Sequence, residues 1–317
     1  MTSLAETFEN TPAEIVRGIV ILVVASAIIP LLDAFGKILV TTHDISAGEV
    51  ALVRLFSQAA TILPLLLYID GPGALRTRHL GLNLLRGACL GVAGLAFFAA
   101  LRFMPLADAT AVFLIEPMIL TLLAAFLLKE TIGWRRIVAV VIGFFGALII
   151  IRPSYSVFGI VSLLPVAAAF FVALYLIFTR RASRGSTPLA MLFHAGAGGV
   201  LVLLIAMIIG HPLGIADLTF RWSDRGSTWL LLIGAGLIGT AGHLMLIQAY
   251  KLAPVSVLAP FGYVEIVSAV FLGYLIFADM PDGPKWLGMA IIVGSGLFIY
   301  FREQRIARHP QKPPVVR

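Results

Sequence analysis

Residues 249–300 read AYKLAPVSVLAPFGYVEIVSAVFLGYLIFADMPDGPKWLGMAIIVGSGLFIY, and residues 100–150 read ALRFMPLADATAVFLIEPMILTLLAAFLLKETIGWRRIVAVVIGFFGALII. The later stretch is a second copy of the earlier one. At an offset of 149 residues Ala249 falls on Ala100, Pro254 on Pro105, Glu265 on Glu116 and Asp279 on Glu130. After a small gap Trp286 falls on Trp134, and Gly294 lies within one residue of the position that matches Gly143. Each copy is an apolar hairpin with one acidic residue in mid-span. A repeat of apolar helices at half the chain length predicts two equivalent halves around a shared centre. Glu116 and Glu265 are then counterparts within it.

Composition sets the class. Hydrophobic residues make up 60% of the 317, charged residues 12%, and the mean hydropathy is +1.02. A soluble domain carries roughly a quarter charged residues, so this chain needs lipid as its solvent. The net charge of +7 does not point to nucleic acid, because the basic residues sit between apolar runs and form no basic face. Cys89 is the only cysteine, which excludes an intrachain disulfide and a cysteine-based metal cluster.

Ten apolar runs follow one another, at about 15–40, 47–68, 80–102, 107–128, 134–151, 157–179, 187–210, 228–250, 254–277 and 284–302. Each is near the ~20 residues that a helix needs to cross hydrocarbon. The expected fold is an all-α integral membrane protein whose ten transmembrane helices form two inverted five-helix repeats, residues 15–151 and 157–302. An N-terminal tail (1–14) and a basic C-terminal tail (303–317) flank them. No positively charged segment precedes a short apolar core, so no cleaved signal peptide is expected. The longest connection, Gly210 to Ser227, has room for a turn of helix but not for a domain. With the N-terminus inside, outer segments hold only Arg102, Arg152, Arg221, Arg225 and Lys285, five basic residues against fifteen on the inner side. Both termini are therefore expected in the cytoplasm. Five helices per half is an odd number, so the second half enters the membrane from the opposite side and the pseudo-two-fold axis lies in the membrane plane.

The stretch LIEPMILTLLAAFLLKETIGWRRIVAVVIGFFGALIII, Leu114 to Ile151, resembles the signature hairpin of the EamA-type transporters of the drug/metabolite transporter superfamily. PFGYVEIVSAVFLGYLIFADMPDGPKWLGMAIIVGSGL, Pro260 to Leu297, resembles its counterpart, and LLDAFGKIL, Leu31 to Leu39, is similar to the first-helix pattern of a bacterial branch. The resemblance covers about residues 15–302. It implies a secondary transporter in the bacterial inner membrane, with relatives that move amino acids, nucleosides, vitamins such as riboflavin, S-adenosylmethionine and other metabolites. The second half carries Ile266 where the first has Pro117 after the shared glutamate, so the two mid-membrane turns need not bend alike.

Polar residues inside a membrane are costly and mark function. Asp33 and Lys37 lie four apart on the first helix and share a face. With Arg54 at similar depth, they form either an ion-paired tie between helices one and two or a charged cluster for a zwitterionic or anionic substrate. Glu116 and Glu265 sit near mid-depth, with Tyr263 and Ser268 close to the latter. They are candidates for binding a substrate amine or for a protonation switch, against a plain inter-helix hydrogen bond. Glu130 and Asp279, at loop edges, read as end caps or loop ion pairs. His243 and Gln248 lie about 140° apart on helix eight, and both are candidates to border a cavity. His194 is more simply a packing residue. Pro30, Pro117 and Pro260 interrupt helical hydrogen bonding and are candidate hinges. Phe97, Phe98, Tyr175, Tyr250 and Tyr263 are candidate stacking surfaces, although most membrane aromatics only pack.

No metal spacing, phosphate-binding loop or nucleotide-binding domain is present in the sequence, so no metal, cofactor, catalytic residue or ATP-driven pump is expected. The expected function is movement of a small organic metabolite by alternating access, with export of an amino acid or related compound first. Uptake of a vitamin or nucleotide-like cofactor of the riboflavin or S-adenosylmethionine type is the alternative. A membrane enzyme or structural membrane protein is a remote second class. The expected partners are a small-molecule substrate and the lipid bilayer. The oligomeric state is left open, with a single chain sufficient.

Overall fold

The computed structural model describes residues 11–76, 80–128, 134–182, 186–253 and 255–308. Among them every regular element is helical. The α-helices are α1 (Pro12–Thr41), α2 (Ala47–Ile69), α3 (Leu80–Leu101), α4 (Leu106–Phe113), α5 (Glu116–Leu128), α6 (Trp134–Phe158), α7 (Leu164–Ala182), α8 (Pro188–Gly210), α9 (Gly226–Leu252), α10 (Val255–Gly262), α11 (Val264–Phe277) and α12 (Gly283–Arg308). Eight helical stretches are long and apolar enough to cross a membrane, and Ile137–Ile151 with Val264–Phe277 supply two shorter ones. Ten crossings result, with the fourth split into α4 and α5 and the ninth into α10 and α11.

Local chemistry sets the ends. The Thr11 hydroxyl accepts from the Glu14 backbone N–H while the Glu14 carboxylate accepts from the Thr11 N–H, a capping box that starts α1. Ser46 and Thr187 cap α2 and α8 by the hydroxyl alone, accepting from the Glu49 and Ala190 N–H groups. The split in the fourth crossing falls at Leu114 and Ile115, just ahead of Pro117, which has no N–H to donate to the Phe113 carbonyl four residues back and whose ring crowds that carbonyl. Its freed groups close locally, as Met118 N–H donates to Ile115 O at 2.9 Å and the Thr121 hydroxyl donates to Pro117 O at 2.8 Å. The ninth crossing breaks at Tyr263 alone, and Pro260 sits in the last turn of α10 before it. The two breaks differ in length, as the Ile266-for-Pro117 exchange led one to expect.

Some boundaries moved. Helix α6 runs on to Phe158 instead of stopping near 151, and passes directly into a 3-10 turn, Gly159–Leu163. Helix α12 continues to Arg308 instead of 302. The 210–227 connection holds one 3-10 turn, Ala216–Leu218.

The helix seams obey the repeat. Exchanging the two halves maps α1 against α9 onto α7 against α3, α2 against α9 onto α8 against α3, and α1 against α11 onto α7 against α5. The seams α2 against α8 and α6 against α12 map onto themselves. The pairing thus includes the first helix of each half, where sequence similarity is weakest. Glycines set the closest approaches. A Cβ at Gly87 of α3 would lie 2.6 Å from the Ala195 carbonyl and 2.7 Å from Gly198 Cα, both backbone atoms of α8. The outer surface carries large apolar side chains such as Phe56, Phe126 and Leu230, as lipid-facing positions require.

Candidate functional site

Six helices bring their polar side chains together in the interior. Asp33 of α1 and Arg54 of α2 attract one another, and Arg54 is also within electrostatic reach of Tyr175 on α7 and His243 on α9. Glu265 of α11 feels both Asp33 and Glu116 of α5. Tyr250, itself 47% exposed at the edge of the cluster, interacts with both glutamates, and Tyr263 with Glu116. The cluster therefore has a guanidinium end and a carboxylate end. It draws on both halves, and both broken crossings contribute to it: Glu116 begins α5 and Glu265 is the second residue of α11.

Glycines shape the arginine's slot. Cβ atoms at Gly94 and Gly239 would stand 3.7 Å from Arg54 Nη1 and 3.3 Å from its Nε. Arg54 Nε and Glu116 Oε1 are buried and have no hydrogen-bond partner among the described residues. Buried polar atoms are normally satisfied, so two orphans at opposite ends of one cluster mark where a polar ligand would gain most.

The broken crossings are pinned next to the cluster. The Tyr263 hydroxyl fills the space where a side chain at Gly296 of α12 would stand, and the Met118 sulfur does the same at Gly143 of α6. The Ser268 hydroxyl donates to Ala27 O at 2.7 Å and ties α11 to α1.

The expected grouping of Asp33, Lys37 and Arg54 is divided. Asp33 keeps company with Arg54, but Lys37 Nζ reaches away to Asp279 Oδ2 at 2.8 Å and lies 4.6 Å from the Phe277 ring centre. A turn of helix separates Asp33 and Lys37 in height, and the loop after α11 offers the lysine a carboxylate that is a third exposed. Asp279 is thus a loop ion pair; Glu130 lies outside the described residues. His243 joins the cluster, with Nδ1 2.8 Å from the Gly239 carbonyl. Gln248 is exposed. His194 faces the carbonyls of Ala190 and Leu75 at 2.6 and 3.1 Å, a packing role. Pro30 lies inside an unbroken α1, Pro117 in the first turn of α5, and the side chain of Pro260 lies outside the described residues. Phe98 packs into the gap left by Gly36, and Phe97 meets Phe113 edge-on at 5.4 Å.

The sequence profile of the EamA-like transporter family matches residues 16–152 and again residues 158–301. The chain belongs to the EamA-like transporter family. A riboflavin transporter of Vibrio cholerae is 34% identical over 82% of this chain and 84% of its own length. An S-adenosylmethionine uptake transporter of Rickettsia prowazekii is 28% identical over 81% and 84% respectively. A riboflavin transporter of Brucella anthropi is 30% identical over 78% and 85%. A solved crystal structure with 19% identity superposes with a TM-score of 0.62 over 92% of this chain and 99% of that one, a likeness of fold. The relatives are named as transporters, not enzymes, and this EamA-family chain is a multi-pass membrane protein.

Two buried charged residues of this EamA-family chain escaped the sequence reading. Arg86 of α3 is 1% exposed, donates to Asn83 Oδ1 and the Met191 carbonyl, and stands 5.3 Å from the Tyr175 ring centre. Asp108 of α4 pairs with Lys285 of α12 at 2.7 Å. Arg86 and Asp108 lie within two turns of their helix starts, where a charge passes for a flanking residue in sequence. Their isolation in otherwise apolar runs was the available signal.

Proposed function

We propose that this EamA-family chain takes up a ring-bearing vitamin or nucleotide-like cofactor of the riboflavin or S-adenosylmethionine type by alternating access. The relatives' names favour this reading over amino-acid export. The cluster carries it further: an arginine at one end and two glutamates at the other, with tyrosines between, suit a substrate that has an anionic group, a cationic group and a flat ring. Asp33, Arg54, Glu116, His243, Tyr263 and Glu265 bind or couple in this reading, joined by Tyr175 and Tyr250. Lys37 acts at the rim and Gln248 at the edge of the path, while Pro117 and Pro260 flank the bending points. The test is counterflow in proteoliposomes preloaded with unlabelled riboflavin, S-adenosylmethionine or alanine. Exchange of label with one of the first two supports the reading, and exchange with alanine alone overturns it.

Two expected outcomes accompany it. The basic-residue count places both termini in the cytoplasm, so reporter fusions at Asp70 and His211 should report cytoplasm and periplasm respectively; the same side for both contradicts this orientation. Glu265→Gln keeps shape but cannot ionise. It should fold normally and lose most of the dependence of initial uptake rate on external pH. An unchanged pH profile would reduce Glu265 to a hydrogen-bonding group between helices.

A further inference from the structure

A second polar group lies apart from the central cluster, at the end of the bundle opposite the chain termini. A cavity of about 270 Å³ is lined there by Pro105, Ala107 and Asp108 of the first half and by Asp279, Met280 and Lys285 of the second. Two carboxyl groups, of Asp108 and Asp279, line it, and a third, of Asp282, is near enough to act electrostatically on Asp108. Two ammonium groups answer them: Lys37 on Asp279 at 2.8 Å and Lys285 on Asp108 at 2.7 Å. Asp282 Oδ1 accepts from the Lys285 backbone N–H at 3.0 Å, which occupies it as a cap for α12. Three carboxyl groups therefore face two ammonium groups. Asp108 is the most enclosed of the three: its side chain is 1% exposed and its Oδ1 is buried with no hydrogen-bond partner among the described residues. A carboxylate so placed is stable only when a charge or donors compensate it.

We propose that this cavity binds a small organic ammonium group, held by Asp108 with Asp279 beside it. The two lysines show the chemistry: each is a primary ammonium seated on one of these carboxylates at charge-assisted hydrogen-bond distance. The volume is several times the ~30 Å³ share of a water molecule, so a short-chain amine has room once the Lys285 side chain swings off Asp108. Both ion pairs also join the two halves, Lys37 and Asp108 belonging to the first and Asp279 and Lys285 to the second. An ammonium that takes Asp108 from Lys285 removes one of those ties. This release step rests on the transport reading; the binding does not.

Trp286, next to Lys285 in the sequence, serves as the fluorescence probe once Trp134, Trp222 and Trp229 are replaced by phenylalanine in the full-length protein. At constant ionic strength, n-butylammonium chloride should change its emission saturably. Tetramethylammonium, which has the charge but no N–H donor, and sodium should not. Asp108→Asn should weaken butylammonium at least about tenfold, the effect of one charge-assisted bond. Lys285→Met, which frees the carboxylate of its tethered rival, should strengthen it by a similar factor and decides the matter if Asp108→Asn does not fold. A response that never saturates, an equal response to tetramethylammonium or sodium, or a Lys285→Met protein that binds no tighter overturns the site.

Discussion

Arg54→Ala should lower transport of the substrate by about tenfold to a hundredfold, the range expected when a hydrogen bond to a charged group worth roughly 1.5–3 kcal/mol is lost. Arg54 is the cation at one end of the cluster, and its Nε has no hydrogen-bond partner among the described residues while Asp33 faces the same guanidinium. Removing it also leaves Asp33 buried without a counter-charge, which can harm folding for reasons unrelated to transport. Arg54→Lys and the double variant Asp33→Asn/Arg54→Gln separate the two effects. Lysine keeps the charge but not the planar fork, so it should fold and still transport poorly, chiefly through a raised KM. The double variant restores neutrality and should fold without transporting. Near-normal uptake by Arg54→Lys would show that charge alone suffices. Near-normal uptake by the double variant would remove Arg54 from the substrate path.

The second large effect belongs to packing. Gly87→Ala puts a methyl group against the backbone of α8 at Ala195, Gly198 and Gly199, with nothing flexible to give way. Overpacking of this kind costs about 1–3 kcal/mol. The expected result is a lower thermal midpoint and a smaller monodisperse fraction in detergent than for Gly81→Ala, whose new methyl on the same helix meets nothing within 4 Å. Equal behaviour of the two variants would mean that α3 and α8 do not approach as closely as described.

The ten crossings, the two halves and the glutamate pair were legible in the sequence because each depends on local composition or on similarity between distant segments. Glu116 and Glu265 could be matched by offset alone. The breaks at Leu114–Ile115 and Tyr263 were signalled only by nearby prolines, since a helix interruption inside an apolar run leaves the hydropathy unchanged. Partner choice was not legible. Lys37 was grouped with Asp33, four residues away on one helix, and with Arg54, as a tie or as a substrate cluster, and instead meets Asp279 across the two halves. Spacing on a helix fixes which residues share a face, not which neighbour arrives there. Asp108 and Lys285 illustrate the same limit, since 177 residues separate them in the chain (285 − 108) and only the fold brings them to 2.7 Å.

The seam between α6 and α12 carries one more consequence. A methyl at Gly146 would strike the Gly288 carbonyl at 2.9 Å, and a methyl at Gly288 would strike the Gly146 carbonyl at 2.8 Å. The seam maps onto itself when the halves are exchanged, as an isologous interface does between two identical subunits. The molecule is in this respect a dimer written as one polypeptide. The segment joining its halves supplies nearness, a high effective concentration of one half for the other, while recognition between them resides in the seam itself.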